Sequence, residues 1–301
     1  CWNPALSRAV PGTYLFGRKS VSLERPALYL VATPVGNLAD LSPRAISVLR
    51  DADLILCEDT RTTRRLTAHF QIGTRLVALH EHNETESAPH LVAELLDARA
   101  AYALVSDAGT PAISDPGYRI VRAAHAASVP VFSVPGPCAA VAGLAASGLA
   151  TDRFVFEGFL PPKQSARRAH LESLLHEPRT LVFYESCHRI ADTLADLAAV
   201  FGPGRPAAIA RELSKLHEQT VSATVGGLAA DLASGTIPAK GEFVLLVAGG
   251  PPADETAEAQ RLLAALMPHL PVRTAAKVAA SLTGLRANAL YAMAETLRDG
   301  A

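Results

Sequence analysis

No stretch of this chain reaches about 18 consecutive apolar residues, so no membrane span is expected. A charge excess of one sign is missing too: 28 Lys and Arg stand against 29 Asp and Glu, a formal net charge of −1. A globally basic protein is excluded, and contact with nucleic acid would need a local patch. Cysteine is scarce. Cys1, Cys57, Cys138 and Cys187 are far apart, and no Cys-x-x-Cys pair occurs, which argues against a zinc ribbon. Cys57 and Cys187 adjoin strand-like runs and are expected to be reduced and buried, as suits a cytoplasmic protein. Neither Gly-x-Gly-x-x-Gly after a strand nor Gly-x-x-x-x-Gly-Lys is present, so Rossmann dinucleotide and P-loop readings fall away.

What is present is a regular alternation. With 301 residues and 49% hydrophobic content, the chain is long enough for about two globular domains. Apolar runs at Ala27–Ala32, Asp53–Cys57, Arg75–Leu79, Tyr102–Ser106 and Pro130–Val134 read as strands. Helical patterns separate them, and Pro137–Ser147 follows as another helix. This predicts an α/β domain over residues 27–149 with a mainly parallel sheet covered on both faces. A second α/β set fills residues 150–249, with the boundary near Leu149–Thr151. After Gly249-Gly250-Pro251-Pro252, residues 253–300 read as a helical module. Its last two helices flank Thr283-Gly284-Leu285, a helix-turn-helix pattern. A plain helical hairpin packed on the body is the competing reading. Residues 1–26 show no period and carry Arg8, Arg18, Lys19 and Arg25 with no acid before Glu24. They are expected to form an irregular extension; the alternative is a basic arm that touches RNA.

The most informative segment is Ser106-Asp107-Ala108-Gly109-Thr110-Pro111-Ala112-Ile113-Ser114-Asp115-Pro116-Gly117. It lies between an apolar strand and a helix, where an open α/β sheet places a ligand. Its two glycines, two prolines and two aspartates exceed the needs of a plain turn. Glu58-Asp59-Thr60-Arg61 also follows a strand, so its carboxylates are candidates for the cleft, with helix capping by Asp59 or Thr60 as the competing reading. Arg61, Arg64 and Arg65 suit phosphate contacts. His80-Glu81-His82-Asn83-Glu84 offers two histidines without a third ligand, so no metal site is expected and a polar substrate loop or a solvated loop remains. Lys163, Arg167, Arg168 and His170 cluster on one predicted helix, either as a solvated face or as an RNA-backbone site.

Five blocks in order (Thr33–Leu38, Glu58–Arg61, Pro135–Ala140, Phe183–Ser186 and Arg211–Leu213), together with the Ser106–Gly117 loop, resemble the ribosomal RNA small subunit methyltransferase I family of the tetrapyrrole-methylase superfamily. The match runs from about Leu28 to about Ala294. It implies two α/β domains, not Rossmann-like, with an S-adenosylmethionine cleft between them and a small helical module for RNA contact. It implies that Pro34, Gly36, Asp107, Ala108, Gly109, Pro111, Ile113, Cys138, Ala139, Tyr184 and Leu213 line that cleft. Glu185, Arg211, Glu212 and Lys240 would form a charge network along it. The implied reaction is 2′-O-methylation of a cytidine ribose in the decoding region of 16S ribosomal RNA, within the 30S subunit, by a homodimer. Candidates for a general base are Glu58, Asp59, Asp107 and His82; candidates for RNA contact are Arg61, Arg64, Lys163, Arg167 and Arg168. The alternatives are a tetrapyrrole C-methyltransferase and a non-catalytic RNA-binding assembly factor. The helical tail and the Glu58–Arg61 block argue against the first, and the intact loops against the second.

Overall fold

The structure is a computed structural model and describes residues 22–251 and 255–299. Most of the extension expected over residues 1–26 lies outside the described residues.

The first half forms one sheet from β1 (Ala27–Val31), β2 (Leu54–Cys57), β3 (Leu76–Ala78), β4 (Ala101–Val105) and β5 (Val131–Val134). The strand order is β3-β2-β4-β1-β5, and every pairing is parallel. Helices α1 (Pro43–Asp51), α2 (Thr60–His69), α3 (Glu81–Asp97) and α4 (Tyr118–Ala126) connect the strands. Side chains alternate across the pleat. Val31, Ile55 and Val105 therefore join the layer that contains α1, and Leu28, Leu56 and Leu104 the layer of α3 and α4. Coverage of both faces is why these strands read as unbroken apolar runs. Helix starts are chemically marked: Ser42 Oγ accepts the Ala45 N–H at 3.1 Å, ahead of which Pro43 takes the first helical position.

The loop expected at His80–Glu84 does not form. His80 caps α3, which begins at Glu81, and Glu84 is buried. Its Oε1 accepts the N–H groups of Gly117, Arg119 and Ile120 at 3.1, 2.8 and 3.1 Å. Those are donors at the start of α4, where the helix itself has no acceptors and the dipole is positive. Glu84 thus pins the far end of the Ser106–Gly117 loop.

In the second half, β6 (Phe154–Phe159), β7 (Thr180–Ser186), β8 (Pro206–Arg211), β9 (Gln219–Thr224) and β10 (Glu242–Val247) form a sheet in the order β6-β7-β10-β8-β9. Only β6–β7 is parallel among its pairings; β10 runs antiparallel to β7 and β8, and β9 to β8. Helices from α6 (Gln164–Ser173), α7 (Ile190–Phe201) and α8 (Val225–Ser234) cover one face, around Phe183, Leu194 and Leu245. The other face is covered by α5 (Ala139–Ala146), a helix of the first half: Ala140 and Leu144 pack on Val182, Ala208 and Val244. A separate bundle of α9 (Glu255–Leu266), α10 (Val272–Thr283) and α11 (Ala287–Asp299) has its own core of Ala259, Leu263, Ala276, Ala279 and Leu290. Gly284, at φ +74°, ends α10 in a left-handed cap. Among the described residues, no helix is long and apolar enough to cross a membrane.

One expected surface group proves structural, and a second is partly engaged. Arg167 is 3% exposed and cannot reach RNA. Its Nε lies 2.7 Å from Asp196 Oδ2 on α7, and its Nη1 donates to the Pro162 carbonyl. Arg168 donates to the other Asp196 oxygen at 2.6 Å. Burial pushes the Asp196 carboxyl up, but the two guanidinium hydrogen bonds outweigh it and hold the group below its ordinary value. Cys57 is buried, while Cys187 is only half-buried.

A buried pair is costly to break, because one charge is left uncompensated. Asp196→Ala should lower unfolding stability by about 3–5 kcal/mol in urea denaturation. Arg168→Ala, which removes a half-exposed partner, should cost under about 1 kcal/mol. Equal losses would contradict this assignment.

Candidate active site

The loops at the carboxyl ends of the first sheet converge on the α5-covered face of the second. Between them lies a cavity of about 430 Å³, within the roughly 300–1,000 Å³ of small-molecule sites. From the first half it is lined by Val35, Glu58, the Asp107–Thr110 and Ile113–Asp115 segments, and Cys138 and Ala139 at the head of α5. From the second half come Phe159, Tyr184 to Ser186, Ala210, Leu213 and the start of β10.

The loops are held rigidly. Thr33 and Gly109 exchange two backbone hydrogen bonds, at 2.9 and 3.1 Å, as a single antiparallel bridge. Gly109 takes φ +89°, a region that glycine enters freely. Thr110 Oγ1 donates to the Pro137 carbonyl at 3.0 Å. Four residues without glycine's freedom also have positive φ: Ala112 (68°) and Ser114 (60°) flank Ile113, and Glu212 (51°) and Ser214 (66°) flank Leu213. Each costs on the order of 1–2 kcal/mol. Ile113 and Leu213 are thus presented by the same device from opposite halves.

The charged residues of the lining are acidic. Glu58, Asp107 and Asp115 face the cavity from the first half, and Glu242 borders it from the second, paired with Lys215 at 2.9 Å. The Glu185 carboxylate turns away to Thr193 and Arg189, and among the described residues no Lys, Arg or His lines the cavity. Burial pushes Asp115 up to about 6, with Glu58 and Asp107 adding to the effect and the Ser106 hydroxyl opposing it. Burial, then the neighbouring carboxylates Asp107 and Asp59, raise Glu58. Burial and Asp59 likewise raise Asp107, against a hydrogen bond from the Asp59 N–H. A cavity with this wall suits a cation. Burial also pushes the Tyr184 hydroxyl up to about 12. That hydroxyl accepts the Ala140 N–H at 3.1 Å, which ties β7 to the first turn of α5.

The expected cleft residues sort by position. Asp107, Ala108, Gly109, Ile113, Cys138, Ala139, Tyr184 and Leu213 line the cavity. Pro34, Gly36 and Pro111 do not. Gly36 instead abuts the second half: a Cβ there would stand 2.4 Å from Lys215 Cγ and 2.9 Å from the Leu213 carbonyl. Asp59 lies outside, where the Arg61 side chain holds its carboxyl at about 2. His82 is exposed on the first turn of α3 and does not line the cavity. Arg61, Arg64 and Lys163 are exposed. The expected charge network is broken up. Glu185 accepts from Thr193 Oγ1 at 2.7 Å, Glu212 pairs with Lys215 at 2.8 Å, and Arg211 donates to the Lys240 and His217 carbonyls. Phe159, Ala210, Glu242, Phe243 and Val244 are lining residues that no motif singled out; Asp115 lay within the Gly/Pro loop but had no role of its own assigned.

A profile of the tetrapyrrole (corrin/porphyrin) methylases matches residues 27–229, and one of the RsmI C-terminal HTH domain matches residues 253–298. The ribosomal RNA small subunit methyltransferase I of Xylella fastidiosa is 52% identical over 266 residues, covering 88% of this chain and 97% of that protein. The protein of the same name from Escherichia coli O157:H7 is 50% identical over 266 residues, 88% of this chain and 93% of that one. The chain belongs to the ribosomal RNA small subunit methyltransferase I family, within the tetrapyrrole methylases. Among solved structures, diphthine synthase is similar in fold, with a TM-score of 0.56 at 18% identity over 74% of this chain and 90% of that one. The family resemblance carried by the five sequence blocks therefore holds, and the helix-turn-helix pattern around Gly284 falls inside the second matched segment.

Asp115 gives this family member a pH signature. Its folded value of about 6 exceeds the ordinary 3.8. Between about pH 4 and pH 6 the folded chain binds more protons than the unfolded one, so stability falls as pH rises through that window. The penalty is complete above it, at most about 3 kcal/mol before screening by solvent. Asp115→Asn should therefore melt higher than wild type at pH 7.5 and match it at pH 4. A melting difference independent of pH would refute the assignment.

Proposed function

We propose that the cavity binds S-adenosylmethionine and that the protein 2′-O-methylates the ribose of a cytidine in the decoding region of 16S ribosomal RNA. The observation that carries this reading is the pairing of two unlike walls. Glu58, Asp107 and Asp115 form an acidic one, and Ala210, Leu213 and Val244 an apolar one. A ligand with a sulfonium and an ammonium group at one end and a flat adenine at the other suits both. An anionic dinucleotide would meet carboxylates and no cation.

In this reading, Asp107, Ala108, Gly109 and Ile113 hold the cofactor from one loop, Cys138 and Ala139 from the head of α5, and Tyr184 and Leu213 from the second half. Pro34 and Pro111 belong to the same loops without lining the cavity, and Gly36 lets its loop approach the Leu213 carbonyl. When bound, S-adenosylmethionine supplies a methyl group on a positively charged sulfur. The chain's own task is alignment of the ribose oxygen to within about 3–3.5 Å, exclusion of water, and removal of one proton. Glu58 is the proton acceptor we favour: it lines the cavity, and its raised value brings it closer to neutrality. Asp59, held at about 2 by Arg61, is a far weaker base.

Arg61, Arg64 and Lys163 offer exposed cations for phosphate, as do Arg273, Lys277 and Arg286 on the helical module. Arg168, paired with Asp196 through Nε, is half-exposed and is a further candidate for phosphate. The substrate form we favour is the 30S subunit, methylated in the cytoplasm. Support for a homodimer comes from the outer face of α5, where Val141 and the neighbouring Ala142, Ala145 and Ala146 are exposed.

Tritium transfer from labelled S-adenosylmethionine to 30S subunits and to naked 16S RNA, both from cells lacking the modification, tests the reading. The expected result is label on a ribose 2′-oxygen in the 30S sample. Binding of S-adenosylmethionine without transfer to either substrate would overturn it. Asp107→Ala should weaken S-adenosylmethionine affinity at least about tenfold in calorimetric titration, with a melting temperature within a few degrees of wild type. An unaltered Kd would remove Asp107 from the site.

A further inference from the structure

Phe159 stands out at the mouth of the cavity. It lines the wall yet is 57% exposed, and a phenyl ring has no polar handle to hold it in water. Its position follows from a defect in β6. Phe156 pairs with Val182, Gly158 with Phe183 and Phe159 with Tyr184, so the register shifts by one residue around Glu157. In a regular strand, Phe156 and Phe159 would point to opposite faces. The extra residue turns Phe159 to the face that carries Phe156 and Tyr184; re-aiming a side chain beside a site is a common use of a β-bulge. The ring is then braced from within. Phe159 and Tyr184 meet edge to face with centroids 5.6 Å apart, and Phe156 and Tyr184 do so at 5.0 Å.

The opposite lip is apolar as well. Ile113, 40% exposed, comes from the loop after β4. The two lips approach closely, since a Cβ on Gly158 would stand 3.0 Å from Ser114 Oγ. The deeper apolar wall around Ala210 and Leu213 is buried and suits the cofactor's own ring. A flat group that covers Phe159 must instead arrive through the mouth, with the second reactant. The chemistry that suits a braced, exposed aromatic face is a nucleobase lifted out of its stack. Lys163, four residues further on, is exposed and carries a cation of the kind that meets a backbone phosphate.

We infer that Phe159 is the platform on which the base of the target nucleotide stacks, setting the ribose over the acidic wall. This rests on the RNA methyltransferase reading above. Phe159 is then a positioning residue that recognises an unstacked base by its flat face and takes no part in the chemistry.

The test is methyl transfer to 30S subunits by wild type, Phe159→Ala and Phe159→Trp, with S-adenosylmethionine Kd measured separately. Phe159→Ala should lower kcat/KM for the subunit roughly 5- to 150-fold, the range of one lost base–aromatic stack. Its Kd for S-adenosylmethionine should stay within about twofold, and Phe159→Trp should retain most activity. On subunits reconstituted with an abasic target nucleotide, wild type and Phe159→Ala should be equally slow. A parallel loss of S-adenosylmethionine affinity would show that Phe159 covers the cofactor and would overturn the inference. So would an unchanged kcat/KM, or a full Phe159→Ala defect on the abasic substrate. Should wild type itself transfer no methyl group to the subunit, the parent reading fails and this one with it.

Discussion

The site depends on one packing contact, the docking of α5 onto the second sheet. Gly143 makes it possible. A Cβ there would meet the Val244 Cβ and Cγ1 at 3.1 Å and the Ala210 Cβ at 3.4 Å. Ala140 and Leu144 close the same interface, and the Tyr184 hydroxyl accepts the Ala140 N–H. Since Cys138 and Ala139 precede these residues directly, the docking also fixes where the head of α5 enters the cavity. A helix that belongs to one half by sequence thereby becomes a wall of the other, and the crevice at the strand ends becomes an enclosed site.

Strain and charge are stored around that contact, and the fold holds both. Ile113 and Leu213 are each carried between two left-handed residues. Neither loop would keep that shape alone; the Thr33–Gly109 bridge and the Glu84 anchor at Gly117 hold the first of them. The crowding of Glu58, Asp107 and Asp115 works in the same sense. Like charges in a half-buried wall destabilise the empty fold and favour a cationic ligand. Stability is given up for a site organised before the ligand arrives.

Much of the fold was legible because its signals were local. Unbroken apolar runs marked strands covered on both faces, and the Ser106–Gly117 loop announced itself by glycine, proline and aspartate. Other features turned on distant partners. Arg167 sits in a cationic cluster and reads as surface until Asp196, 29 residues on, is found facing it. Glu84 reads as a loop carboxylate until Gly117 is placed beside it, 33 residues away. Phe159 was silent for another reason: a one-residue bulge inverts the face of a side chain, and alternation counting cannot register it. Gly36 was assigned to the right region and the wrong partner, because a glycine needed for close approach looks the same whether a ligand or a backbone approaches it.

The most direct test of this account is the S-adenosylmethionine affinity of Gly143→Val, with hydrogen exchange followed in both sheets. Three added carbons cannot be accommodated against Val244 and Ala210 without displacing α5. The expected result is an affinity loss of more than about tenfold while amides of β4 and β10 keep their protection. Unchanged affinity, with α5 still protected, would contradict the claim that this docking builds the site.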